Sequence, residues 1–208
     1  MRRPQSVSAL EELGRVQLSE HFFMRDFLYS EIGAVHALAN IPDDPDLAIA
    51  AGRRLCAELL EPLEATFGRI AVRSAYRSAA LNDFGNRHKL NCARNAVSVA
   101  DHIWDRRDAD GFMGATCCIV VPWFANRYRG AGEWRRLAWF IHDHLPYSRM
   151  TFFPKLFAFN LAWHERPQRR IDSFTAPKGL LTKPGMANAD GSHAAEYEGF
   201  PPFRAASP

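Results

Sequence analysis

Leu47, Ile49, Ala50, Leu55, Leu59, Leu63 and Phe67 recur at roughly helical spacing, which buries one face of a helix over that stretch. Asp46 is a fitting N-cap, and Gly68 closes the pattern as helices commonly close. Pro62 falls inside it and predicts a kink or a split. Arg69–Ser74 then alternates, the mark of a strand. Ser74–Ser78 reads as a turn into a short helix with Leu81 and Asn82. From Thr116 to Pro122 the chain is apolar and β-prone, a buried strand. Glu133 to His144 is amphipathic, with Trp134, Leu137, Ala138 and Ile141 on one side and Pro146 as its stop. Arg149–Phe153 and Phe157–His164 read as two strands around a Pro154-Lys155 turn.

Three stretches lack such a pattern. Residues 1–17 are polar and read as a flexible lead-in. Residues 83–113 carry no sustained period, and a loop that long inside a domain is usually functional or disordered. From Arg166 onward prolines, glycines and polar residues dominate. Residues 166–208 therefore read as an extension wrapping the domain, frayed over roughly its last ten residues.

Composition narrows this. The 208 residues suit one α+β domain, large enough to fold without disulfides or a structural metal. A formal net charge of +3 does not imply nucleic acid, and the pairs Arg106-Arg107, Arg135-Arg136 and Arg169-Arg170 read as solvated surface. Cys56 sits on the apolar helical stripe, and the neighbours Cys117 and Cys118 are poorly placed to bridge each other. With Cys92 they do not form a secreted disulfide framework. No apolar run approaches the ~18 residues of a membrane span, and the opening Met-Arg-Arg-Pro-Gln-Ser lacks a signal peptide's apolar core. The expectation is a soluble chain, cytoplasmic as made, which reaches the cell wall only by release. His142 and His144, at a helix end, are expected to be structural, with the helix dipole favouring a cationic imidazole.

Leu18-Ser19-Glu20-His21-Phe22, then Leu60-Glu61-Pro62-Leu63, then Ser74-Ala75-Tyr76-Arg77-Ser78-Ala79-Ala80-Leu81-Asn82 follow one another in this order. Together they resemble the N-terminal half of the zinc D-Ala-D-Ala carboxypeptidases, with Ala75 where that family prefers Gly. Gly114–Pro122, the helix ending at His144-Leu145-Pro146, and Leu161-Ala162-Trp163-His164 match its second half in outline. The resemblance covers residues 18–165. It implies a Hedgehog/DD-peptidase-like α+β fold, a small antiparallel sheet with helices packed on it. It also implies substrate binding by Tyr76, Arg77 and Ser78, since a guanidinium fork suits a peptide carboxylate. The implied cofactor is zinc and the implied substrate a peptidoglycan or other small peptide.

The family's metal motif is altered. Aligned through Gly114, its first His falls on Gly111 and its Asp on Cys118, while its acidic base falls near Asn160 and Leu161. His102 or Asp110 in place of the missing His, Cys118 in place of the Asp, and His164 in place of the last His would rebuild a tetrahedral site. Glu165 and Asp105, with Asp108 as an equal, are the carboxylates considered as base. Two functions follow. One is a zinc metallopeptidase acting on cell-wall peptides. The alternative is a non-catalytic relative that binds cell-wall peptide or a protein partner through the same cleft. Nucleic-acid binding is the weaker third.

Overall fold

The computed structural model describes residues 1–205. Helices α1 (Val7–Gly14), α2 (Arg25–Leu28), α3 (Glu31–His36), α4 (Pro45–Leu55) and α5 (Glu61–Phe67) precede β1 (Ala71–Ser74). Then come α6 (Ala79–Arg87), α7 (Asn95–Ser98), β2 (Gly114–Val120), α8 (Pro122–Arg127) and α9 (Trp134–His144). Strands β3 (Arg149–Phe152), β4 (Phe159–His164), β5 (Arg170–Ser173) and β6 (Gly179–Thr182) complete the order. The chain is thus of mixed α and β structure, built around a single sheet.

The sheet has six strands in the order β1-β2-β4-β3-β5-β6. It is mixed rather than small and antiparallel, because β5 pairs parallel to β3 while the other neighbours run antiparallel. β5 follows β4 in sequence but lies against β3, since β4 is already flanked by β2 and β3. Strands β5 and β6 come from the stretch expected to be an extension. In β5 only Ile171 is apolar, too little alternation to register as a strand.

Cys117, Ile119, Met150, Phe152, Phe159, Leu161 and Ile171 point to one face and are fully buried. α4 and the turn that follows it cover β2 and β4 there. α9 joins them through Trp134, whose ring lies 5.1 Å from Phe152. Every second residue of the strands turns the other way, as a pleated backbone requires.

The predicted helix over residues 46–67 exists, with two adjustments. Its N-cap is Asp44, whose carboxylate accepts from Leu47 N at 3.1 Å, with Pro45 in the first turn. At Pro62 the helix neither breaks nor ends. Cys56–Leu60 form a π-helical turn closed by Glu61 N–H donating to Cys56 O, and α5 continues from it. A π-turn accommodates a proline that removes one donor and crowds the preceding turn. Next to it Glu61 is buried, and both oxygens accept from His21, at 2.8 Å from the backbone N and 2.7 Å from Nδ1. Burial pushes the Glu61 carboxyl up, but the His21 bonds outweigh it and hold the group below its usual range. Two of the three N-terminal motifs therefore meet as a structural clasp.

Residues 7–14, expected as part of a loose lead-in, form a helix capped by Ser6 with Leu13 fully buried. Residues 183–205 lie over the helices. Phe200 packs against Phe67, Trp123, Phe124 and Phe140, and His193 stacks on Trp139 at 3.9 Å. The fraying expected at the C-terminus falls in part on 206–208, outside the described residues. His142 is buried between Tyr147 Oη, at 2.6 Å from Nδ1, and Ala189 O, at 3.0 Å from Nε2. Burial pushes its pKa down, so it is a neutral bridge to this segment and not the cation expected at a helix end.

The unpatterned stretch is anchored at its centre. Ile103 and Trp104 are fully buried, and Trp104 Nε1 donates to Thr116 O at 3.1 Å. Gly114 allows this close docking: a Cβ there would lie 2.0 Å from Ala100 O and 2.7 Å from the His164 ring. Both neighbours are fixed, one being backbone. Gly114→Ala is therefore expected to lower stability by about 2 kcal/mol or more, read as a lower urea midpoint at unchanged m-value. An unchanged midpoint would show that residues 99–104 can lift off the sheet at no cost.

Candidate functional site

The face of the sheet opposite α4 and α9 is polar, and the register sets out its groups in rows. Ser74, Cys118, Asn160, Thr151 and Asp172 are successive cross-strand partners on β1, β2, β4, β3 and β5. Thr116, Ala162, Arg149 and Arg170 form the next row. A cleft of about 760 Å³ runs over both rows. Arg77 and His102 stand over it from the loops.

Asp101 ties the covering loop down. Its carboxylate accepts from Thr116 Oγ1 and, at 3.1 Å, from Arg149 Nη2, while its carbonyl accepts from Thr116 N at 2.9 Å. The next residue, His102, is buried with its carbonyl accepting from Arg77 N at 2.8 Å. Its ring Nδ1 donates to Ala75 O at 2.8 Å, which fixes the tautomer and leaves Nε2 as an acceptor. The Asn160 amide Nδ2 donates to it at 3.3 Å. Burial first, then the charge of Arg77, pushes the His102 pKa down to about 4, so the imidazole is neutral near pH 7.

The three guanidiniums of the cleft differ in partner. Arg149 faces Asp101. Arg170 holds Asp172 through two bonds of 2.6 and 2.7 Å. Among the described residues Arg77 has no carboxylate partner. Its Nη1 has only Asn82 Oδ1 at 3.4 Å and Cys92 Sγ at 3.5 Å. It is half-buried, so its charge is only partly screened by water. Arg73, Lys155 and Glu31 border the adjoining hollow.

Of the residues singled out from sequence, Arg77, His102 and Cys118 share this cleft. Of the others, Tyr76 borders only the adjoining hollow, and the rest lie elsewhere. Tyr76 is fully buried, its ring against Trp104 at 6.1 Å. Ser78 caps α6, accepting from Leu81 N and donating to Ala39 O, both at 3.3 Å. The turn that presents Arg77 buries both neighbours. Asp105 is buried beside Tyr76 and accepts from Asp43 N at 2.7 Å. Burial pushes its carboxyl up, but it does not line the cleft and is not placed as a base there.

His164 lies at the far end of β4. Its Nε2 faces Asp108 at 3.2 Å and its Nδ1 accepts from Arg166 N at 3.0 Å. Asp108 also accepts from Phe112 N and Asp110 N, and these backbone bonds, chiefly that from Phe112, hold its carboxyl below the usual range. Glu165 accepts from Met113 N at 2.6 Å and faces Arg107, extending the β2–β4 ladder and leaving no role as base in the cleft. Asp110 is exposed, 3.9 Å from Arg166.

The donors expected to rebuild a zinc site therefore do not fit one. Both His102 nitrogens are engaged, and His164 and Asp110 belong to a separate loop junction. Burial keeps the Cys118 pKa above that of an ordinary thiol, although Arg73 and Arg77 pull it down. Among the described residues no three His, Cys, Asp or Glu side chains are grouped to hold a metal ion. All four cysteines are free. Also among them, no helix is long and apolar enough to cross a membrane.

Asn160, Arg149, Thr151, Arg170 and Asp172 were not among the expected site residues. Alternation of polar with apolar residues in β3 and β4 is the signal that could have found Arg149, Thr151 and Asn160; Arg170 and Asp172 carry no such signal. Comparison with protein-family models, curated proteins and solved structures gives no match for this chain.

A depressed histidine pKa disfavours folding when the unfolded chain takes up the proton first. Stability from a neutral His102 is thus complete above about pH 6.5 and falls as pH drops toward 4. The full shift corresponds to roughly 3 kcal/mol. In urea titrations from pH 7.5 to 4, His102→Gln is expected to flatten this loss, because Gln carries no titrating group. Parallel profiles for the two proteins would show that His102 is not held neutral.

Proposed function

We propose that the chain is a non-catalytic relative of the D-Ala-D-Ala carboxypeptidases that binds the free carboxylate end of a peptide in the cleft over the polar sheet face. One observation carries this reading: Arg77 is the half-buried guanidinium of the cleft without a carboxylate partner among the described residues. An unneutralised guanidinium in a concave, partly water-excluded site is a receptor for a carboxylate, which accepts two parallel charge-assisted bonds from it. Arg149 and Arg170, already paired, shape the floor and leave Arg77 to bind. The Asn160 amide and the Thr151 hydroxyl on the floor suit the peptide groups next to the carboxylate. The resemblance of residues 18–165 to that family supports a peptide C-terminus as the ligand, and donors that are not grouped to hold a metal ion among the described residues support binding without hydrolysis.

The second reading, a zinc peptidase of the same lineage, rests on His102, Cys118 and Arg77 lining one cleft. Metal content separates the two. The binding reading expects zinc far below stoichiometric after dialysis, and no D-alanine release. About one zinc per chain, lost in both His102→Ala and Cys118→Ala, would establish the peptidase instead.

The carboxylate is tested by a matched pair of peptides. Arg77→Gln is expected to weaken binding of a free-acid peptide about 10- to 100-fold, the range for a hydrogen bond to a charged group. Amidating the peptide's C-terminus should weaken binding similarly in the wild type and change little in the variant, since both remove the same contact. Equal affinity for acid and amide in the wild type would remove the reading.

A further inference from the structure

The cleft does not end at Arg77. It continues past that guanidinium into a hollow of about 960 Å³, whose wall is apolar. Tyr29, Ile32, Leu90, Phe153, Pro154 and Phe174 form the wall. They come from the α3 entry, the loop after α6, the β3–β4 hairpin and the end of β5, so four distant stretches converge on one space.

These side chains are apolar yet accessible. Phe174 is 60 % exposed and Tyr29 62 % exposed. Phe153 and Phe174 stack, with centroids 5.8 Å apart and planes 17° apart. Backbone bonds hold both: Phe153 N donates to Ala158 O at 2.7 Å, and Phe174 N to Phe152 O at 2.8 Å. The hairpin tip beyond Phe153 includes Leu156 and Phe157 in the left-handed region, at φ 58° and 48°. That conformation is costly for bulky residues and persists only where the surroundings enforce it. A fixed, concave and accessible aromatic wall beside a charge that lacks a partner is what a ligand with an apolar group next to an anion requires.

We infer that this hollow is the side-chain subsite for the residue bearing the bound carboxylate, and that it selects a large apolar or aromatic side chain over a methyl group. The inference rests on the carboxylate reading of Arg77. A methyl group held at Arg77 would leave the Phe153–Phe174 wall wet, whereas a benzyl group covers it.

The test is a binding titration of the full chain by NMR chemical shifts, which reaches millimolar affinities. The probes are N-acetyl-Gly-Phe, N-acetyl-Gly-Ala and N-acetyl-Gly-Phe amide, each in D and L forms. The Phe acid is expected to bind about 10- to 100-fold more tightly than the Ala acid, the gain from burying a phenyl ring. Phe174→Ala, an exposed position whose folding is checked by its unfolding midpoint, should bring the Phe acid down to within about threefold of the Ala acid. Equal affinity for the two acids, or a ratio unmoved by Phe174→Ala, would overturn the subsite. Equal affinity with loss on amidation would leave the carboxylate reading standing. Tight binding of Phe acid and Phe amide alike would remove the carboxylate reading and keep an apolar subsite. Binding of no probe would overturn both.

Discussion

The register of β2, β4, β3 and β5 governs everything else in this molecule. Successive side chains on a strand point to opposite faces, so a slip of one residue would exchange the two faces completely. In the observed register Ile119 meets Phe159 and Phe152 on one face, while Cys118, Asn160, Thr151 and Asp172 form a row on the other. The apolar row is sealed by α4 and α9. The polar row cannot be sealed in the same way, because amide, hydroxyl and carboxylate groups need partners or water. It is left open on that side, and the cleft is the result.

The loop between α7 and β2 turns the open face into a site. It is docked by Trp104 in the core and by Asp101 on the sheet, with Gly114 clearing the space for Ala100. Asp101 neutralises Arg149, and Asp172 neutralises Arg170. His102 is kept neutral by burial and by the charge of Arg77. The charges over the polar rows are thereby paired or neutral, except that of Arg77, which has no carboxylate partner among the described residues. The same docking removes His102 from the pool of metal ligands, since one ring nitrogen faces a carbonyl and the other an amide. The result is a polar floor beneath Arg77, a half-buried guanidinium without a carboxylate partner among the described residues.

The motifs that resemble the D-Ala-D-Ala carboxypeptidases divide by role. His21 and Glu61 clasp the N-terminal segment to the π-turn. Tyr76 and Ser78 fix the turn through Trp104 contact and helix capping, with Asn40 bonding the backbone of both. Of the first-half motifs, only Arg77 is left to face a ligand. Scaffold and contact residues are interleaved within five positions of chain, and nothing in the residue types alone separates them.

The sequence by itself determined the elements whose burial pattern is strong: the long helix over residues 46–67, the buried strand after Gly114, the helix ending at His144 and the hairpin around Pro154. Each shows its period because a continuous apolar face must be covered. It also pointed to Arg77, His102 and Cys118. Tertiary structure alone decided that His164, Glu165 and Asp110 belong to a different junction, since ligand spacing in sequence does not say which edge of a sheet a strand end reaches. It alone decided that β5 pairs with β3, because a four-residue strand with one apolar side chain gains its stability from its neighbour. And it alone left Arg77 without a carboxylate partner among the described residues, because pairing depends on which carboxylates the register brings within reach, and Asp101 and Asp172 bind Arg149 and Arg170.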